Sequence, residues 1–111
     1  MNNESKNKAA AKKTDIIIIA TATAKPDKEK EMEQALNDVA APTRQQPGCV
    51  EFSLFRSKGN PAVIVGLERW SSEADHDKHL QGDHVKKLFA AMTDLLATPP
   101  VIDTYTIINE I

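Results

Sequence analysis

Cysteine, glycine and aromatic residues are scarce in this chain of 111 residues: one Cys, four Gly, three Phe, one Tyr and one Trp. A lone thiol, Cys49, cannot close an internal disulfide, which excludes a disulfide scaffold and fits a buried or half-buried residue in a reducing cytoplasm. Gly48, Gly59, Gly66 and Gly82 are too scattered to form a phosphate-cradling loop, so neither a flavin nor a nicotinamide fingerprint is present. No stretch approaches the ~20 apolar residues of a membrane span. The run Ile16 to Ile19 follows Lys6, Lys8, Lys12 and Lys13 and imitates a leader. Asp15 abuts it and Thr21 interrupts it, well short of the roughly 7 to 15 apolar residues a secretory segment uses. Charge of one sign is also lacking. The 14 basic and 16 acidic residues are mixed along the chain and give a net charge of -2, so nucleic acid is not an expected partner.

What is present suffices for one core of ordinary size: 41% of the residues are hydrophobic, and the length leaves no room for two independent domains. Met1 to Thr14 has no aromatic or branched apolar residue with which to offset the entropy of ordering, and reads as a flexible extension ahead of a domain over 15–111. Ile16 to Thr23, with Ile on both parities, reads as a strand buried on both faces. Met32, Ala35, Leu36, Val39 and Ala40 recur at helical spacing, and Pro42 predicts a kink or an end near Ala41. Cys49 to Arg56 and Ala62 to Trp70 read as a hairpin around Gly59-Asn60. Ser72 with Asp75 predicts a capped short helix through Leu80, and Asp83 caps a longer one whose stripe is Val85, Leu88, Phe89, Met92, Leu95 and Leu96. Pro99-Pro100 stops it, and Val101 to Ile108 reads as a last strand.

The order strand, helix, strand, strand, helix, strand is the split βαβ arrangement of a ferredoxin-like α+β fold with an antiparallel sheet. Helices on one face leave the other uncovered, although strand one carries Ile toward both. A second copy of the chain, paired about a twofold axis, is the expected cover.

Pro47-Gly48-Cys49 leading into a strand, Leu67-Glu68-Arg69-Trp70 closing the next, then His79-Leu80 and Gly82-Asp83-His84 before the long helix resemble the antibiotic biosynthesis monooxygenase domain. Ala41-Pro42-Thr43-Arg44 adds to the resemblance, which covers roughly Ile16 to Ile108. It implies a dimeric α+β barrel with a mostly apolar pocket between sheet and helices in each subunit. The family it resembles includes quinol and anthrone oxidisers, haem degraders and a sugar-phosphate isomerase, and a fold does not choose among them. The better-described hydroxylases and haem degraders use a first-strand Asn, which Ile16 to Thr23 lacks. Haem degraders also place a ligating His about a turn beyond His84, where Leu88 and Phe89 stand here, so haem degradation is disfavoured.

Glu68 and Trp70 share a parity and point to one face of the sheet. His84 belongs to the first turn of the long helix, where the positive end of the dipole favours a neutral imidazole. The expected catalytic set is His84 as base, Glu68 as orienting carboxylate and Trp70 as stacking wall. Phe52, Phe89 and Tyr105 are the expected substrate contacts, with Tyr105 donating to a substrate oxygen. The same residues also have purely structural readings: a His84–Glu68 bond that fixes the helix start, and aromatic packing for Trp70 and Tyr105. His76 and His79, one turn apart, have the spacing of a zinc pair but lack a confirming third ligand, so no metal is expected. The leading function is a cofactor-free monooxygenase of a quinol-like or polycyclic aromatic molecule, in which the substrate itself reduces oxygen. The alternatives are a non-enzymatic dimer that binds a small ligand, and a sugar-phosphate isomerase that needs cations such as Arg56 and Arg69 in its pocket.

Overall fold

Four consecutive β-branched isoleucines favour extended backbone, and they open the inner strand β1 (Ile16–Thr23). The computed structural model describes residues 9–110; residues 1–8 of the expected extension lie outside the described residues. After β1 come α1 (Glu29–Asp38), α2 (Ala40–Arg44), β2 (Cys49–Arg56), β3 (Val63–Trp70), α3 (Glu73–Leu80), α4 (Asp83–Leu95) and β4 (Val101–Thr106). The sheet order is β2-β3-β1-β4, and every pairing is antiparallel. This is the ferredoxin-like α+β fold. No helix among the described residues is long and apolar enough to cross a membrane.

The pleat sorts the sheet into two faces. Ile16, Ile18 and Ala22 are buried beneath the helices with Ile64 and Trp70 of β3 and Phe52 of β2. Ile17 and Ile19 alternate to the other face, where no helix lies. A bulge between Cys49 and Glu51 lets Cys49 and Val50 both turn inward. Phe52 stays on the helix side, and Arg44 closes the outer edge of β2 by donating from Nε and Nη2 to the Phe52 carbonyl at 3.1 and 2.8 Å.

The first helix breaks earlier than the sequence suggests. A proline ring clashes with the carbonyl four residues back and supplies no N–H to it. For Pro42 that carbonyl belongs to Asp38, the last residue of α1. Pro42 therefore sits inside α2, in a first turn whose N–H groups have no helical partner anyway. The Ser72 cap forms as expected: its hydroxyl oxygen accepts the Asp75 N–H at 3.1 Å, and the hydroxyl donates to Asp75 Oδ2 at 3.0 Å. Gly82, not Asp83, is the N-cap of α4, and no side chain caps that end; Asp83 is the first helical residue, where its charge still meets the favourable end of the dipole. β4 stops at Thr106, two residues short of the expected end, and Ile108 is fully in solvent.

Where β1 begins, Arg69 ties three segments together on the face away from the helices. Its Nε donates to Asp15 Oδ2 at 2.8 Å and its Nη2 to the Lys12 carbonyl at 3.0 Å, while the guanidinium grips both oxygens of Glu110. Asp15 Oδ2 also accepts the Lys12 N–H, so the end of the expected extension is hydrogen-bonded to the domain.

The α4 stripe is unequal in burial, since Met92 is 7% and Phe89 50% exposed, whereas Met32 on α1 is fully buried. Met32→Ala should lower the unfolding free energy by about 2–5 kcal/mol. Phe89→Ala should change it by less than about 0.5 kcal/mol. Urea denaturation of the two variants checks both, and an equal loss would mean that Phe89 belongs to the core.

Candidate active site

On the helix side of β1, large residues give way to small ones: Ile16 and Ile18 are followed by Ala20 and Ala22. Ala20 stands opposite Gly66 of β3, and Gly66 stands opposite Leu54 of β2. The centre of the sheet therefore carries almost no side-chain bulk. A Cβ built on Gly66 would meet only Leu54 Cδ2, at 3.6 Å, so the space above it is open. Met92, Leu88 and Phe89 of α4 span this hollow without filling it, and a cavity of about 540 Å³ remains. Phe52 and Ile18 form part of its floor and His76, His79 and Leu80 of α3 one wall. Leu80, Phe89 and Ile102 line the cavity and are also solvent-exposed, which places them at its mouth.

The ionisable groups of the lining gather at one end. Glu68 lies between Ile18 and Phe52 in the register and turns into the cavity. Its Oε1 accepts the Trp70 Nε1–H at 2.9 Å, and His79 Nε2 approaches the same oxygen at 3.6 Å. No donor among the described residues bonds to Oε2. The His79 ring packs 4.8 Å from Trp70, and Nδ1 lies 2.6 Å from Gln46 Oε1. His76 and His84 each lie 5.8 Å from His79, centroid to centroid. Burial pushes the Glu68 carboxyl above the usual carboxylate range, with the Trp70 N–H opposing it. Burial, then the neighbouring His76 and His84, pull His79 down to about 4. His76 is also lowered by burial, against the pull of Asp77. His79 is therefore neutral at pH 7.

One close approach fixes this end. Gly48 has φ +84, and a Cβ there would collide with the Asp75 side chain at the start of α3. Only glycine lets α3 come this near the α2–β2 turn, and the Ser71 N–H bonds the Gly48 carbonyl at 2.8 Å. That contact brings Gln46 of the turn against His79 of the helix.

Of the expected site residues, Glu68, Phe52 and Phe89 line the cavity. Trp70 does not: it is 0% exposed and backs the Glu68 carboxyl instead of offering a stacking wall. His84 is not beside Glu68 either. Its Nε2 lies 3.2 Å from the hydroxyl of buried Thr43, and His79 occupies the position expected for it. Tyr105 pairs with Ile17 and projects from the opposite face of the sheet, so it cannot reach a molecule in the cavity. The reason is parity: Ile102, Thr104 and Thr106 are the β4 residues on the helix side. Among the described residues, no three His, Cys, Asp or Glu side chains are arranged to hold a metal. Among the described residues the lining holds no Lys or Arg; Arg69 is on the other face, and Arg56 pairs with Glu33. The sequence pairs His79 with His76 at the spacing of zinc ligands and does not place it, or Gln46, beside Glu68. A further signal for His79 is that α3, with Leu80 as its only large apolar residue, must turn something inward, and His79 is its buried residue; no pattern in the sequence marks Gln46.

An apolar cavity with one ionisable end thus lies between the sheet and the helices of a ferredoxin-like domain. The chain belongs to the antibiotic biosynthesis monooxygenase family, whose pattern matches residues 15–91. A Caulobacter crescentus structure provisionally described as a member of that family is 32% identical, covers 86% of this chain and 92% of its own, and superposes with a TM-score of 0.81. Rv0793 of Mycobacterium tuberculosis, provisionally named a monooxygenase, is 24% identical over 86% of this chain and 93% of its own; its structure gives a TM-score of 0.83. An uncharacterized Synechocystis protein is 28% identical over 83% of this chain, which spans 63% of that protein's length.

The lowered His79 gives stability a pH dependence of definite sign. Between about 6.5 and about 4 the unfolded chain takes up a proton on this residue that the folded chain does not. Stability is therefore lost as pH falls through that window, at no more than about 1.4 kcal/mol per pH unit. Raised Glu68 works in the opposite sense, favouring the folded state at low pH, so the comparison is made between Glu68→Gln and Glu68→Gln/His79→Gln, in which that carboxyl is removed. The stability difference between the two proteins should shrink as pH falls from 7 to 4.5 in urea titrations; a constant difference would show that His79 does not titrate on unfolding.

Proposed function

We propose that this protein is a cofactor-independent monooxygenase of a flat, quinol-like or polycyclic aromatic molecule, with Glu68 as its general base. One observation carries the reading: the cavity is apolar except at a single end, where Glu68, His76 and His79 are its ionisable lining groups. Thr93 also lines it, but its hydroxyl is committed to the Phe89 carbonyl. Such a site suits a ligand with a broad apolar body and one acidic group, a phenol or a CH₂ activated by neighbouring carbonyl and rings.

The protein's part is small. The acidic group meets Glu68 Oε2, which takes the proton, and Trp70 keeps its hydrogen bond to Oε1. Burial raises the carboxyl's affinity for a proton and so narrows its gap to a weakly acidic substrate. The anion left behind is electron-rich enough to reduce dioxygen. For an activated CH₂ the sum is CH₂ + O₂ → C=O + H₂O: one oxygen atom enters the product and the other leaves as water. The apolar walls keep bulk water from re-protonating the anion. The expected base, His84, is relegated in this reading to the layer behind His79. A sugar-phosphate isomerase finds no cation for its phosphate in the described lining.

The reading includes a second copy of the chain. Phe55, Val101 and Tyr105 are about half exposed on the helix-free face, alongside Ile17, Ile19, Val65 and Leu67. A patch of this kind buries itself when two copies meet about a twofold axis. Light scattering should return about twice 12.2 kDa, and Phe55→Glu, a change at an exposed site, should shift the mass toward one copy. A wild-type monomer would refute the pairing.

Oxygen uptake with menadiol-type quinols, without added cofactor, tests the reaction. Uptake above the uncatalysed rate is expected, and Glu68→Gln should lower kcat/KM by roughly 10²- to 10⁴-fold. Saturable quinol binding without uptake would favour the non-enzymatic ligand-binding alternative, and uptake unchanged in Glu68→Gln would remove Glu68 as base.

A further inference from the structure

A buried neutral imidazole has one N–H and one bare nitrogen, so the partner of one nitrogen decides what the other presents. His79 is 5% exposed and lies between two such partners. Gln46 Oε1 is 2.6 Å from Nδ1, and Glu68 Oε1 is 3.6 Å from Nε2. Gln46 itself has little freedom. Its N–H bonds the Thr43 carbonyl at 3.0 Å, its carbonyl accepts the Cys49 N–H at 3.2 Å, and the turn that follows is set by the positive φ of Gly48. An amide oxygen only accepts, so the nitrogen it faces carries the hydrogen.

We propose that Gln46 is a positioning residue for the base: by accepting the Nδ1 hydrogen it keeps His79 Nε2 bare toward Glu68, so that the carboxylate gains no donor from His79 and stays the stronger base. This rests on Glu68 being the base. The opposite tautomer works against it, because an Nε2–H aimed at Glu68 stabilises the carboxylate and weakens it as a base. The titratable groups facing His79 are Glu68 from β3, His76 from its own helix and His84 from α4; Gln46 and Trp70 meet it as neutral partners.

The test uses Gln46→Leu, which removes the acceptor, and Gln46→Glu, whose ionised carboxylate restores one. Nitrogen-15 NMR of the His79 ring and carbon-13 NMR of the Glu68 carboxyl are read in the full-length, ligand-free protein at pH 5 to 8. Wild type should carry the hydrogen on Nδ1, and so should the neutral ring of Gln46→Glu at the alkaline end of that range, where the new carboxylate no longer holds a second proton on it. Gln46→Leu should carry it on Nε2, with the Glu68 titration about one pH unit lower and the acid limb of kcat/KM for quinol oxidation moved by the same amount, a tenfold change in proton affinity. A wild-type ring protonated on Nε2, or a Gln46→Leu protein with unchanged tautomer and unchanged Glu68 titration, would overturn the proposal. If wild type consumes no oxygen with any quinol, the monooxygenase reading fails, and the two NMR measurements still decide whether Gln46 sets the state of the His79–Glu68 pair.

Discussion

A carboxylate placed beneath helices must find hydrogen-bond donors or give up its charge, because removing it from water costs several kcal/mol. Among the described residues the only direct donor to Glu68 is the Trp70 indole N–H two residues along the same strand, and a hydrogen bond to a charged group returns roughly 1.5–3 kcal/mol. The balance leaves the group reluctant to ionise. The surrounding layer answers that reluctance with a neutral imidazole instead of a cation, and so the cavity end is polar without being strongly charged. Gly48, the α2–β2 turn and the Ser72-capped helix all serve to bring that imidazole into place.

The hollow beside Glu68 has a separate origin. Sheet and helices pack to the density of an organic solid when side chains from both layers interdigitate. Ala20 and Gly66, facing each other at the middle of the sheet, supply nothing to interdigitate with α4. The long residues at either end, Ile18 and Trp70 on one side and Ile64 and Met92 on the other, keep the helices at their distance. Space of this kind is maintained by the stiffness of its surroundings, and no single contact defines it. A ligand that fills it restores the missing contacts, which is the physical incentive to bind.

Much of the fold was legible because it depends on local patterns. The isoleucine run, the Ser72 cap, the Pro99-Pro100 stop and the helical stripe from Val85 to Leu95 each specify an element through the backbone preferences of a few residues. The structure departs from the pattern at Asp38, where the Pro42 ring excludes the carbonyl, and at Thr106, beyond which the chain runs into solvent. The site was legible only in part. Glu68 and Trp70 were found together because strand parity ties residues i and i+2. Tyr105, an expected substrate contact, projects from the other face, because parity within a strand does not say which side the helices cover. His84 stands out in the sequence because it lies in the first turn of a long helix, whereas the direction in which the short polar helix turns His79 follows from what packs against it.

The sequence by itself determined the order of elements, the need to cover a strand that is apolar on both parities, and the carboxylate–indole pair on β3. These follow from periodicity and propensity, which act over a few residues. Only the tertiary structure decided which histidine meets Glu68, that Gln46 of a distant turn faces it, and that Ala20 and Gly66 leave a cavity. Each of those depends on residues far apart in the chain arriving at one place, and the sheet register together with the close approach at Gly48 sets where that place is.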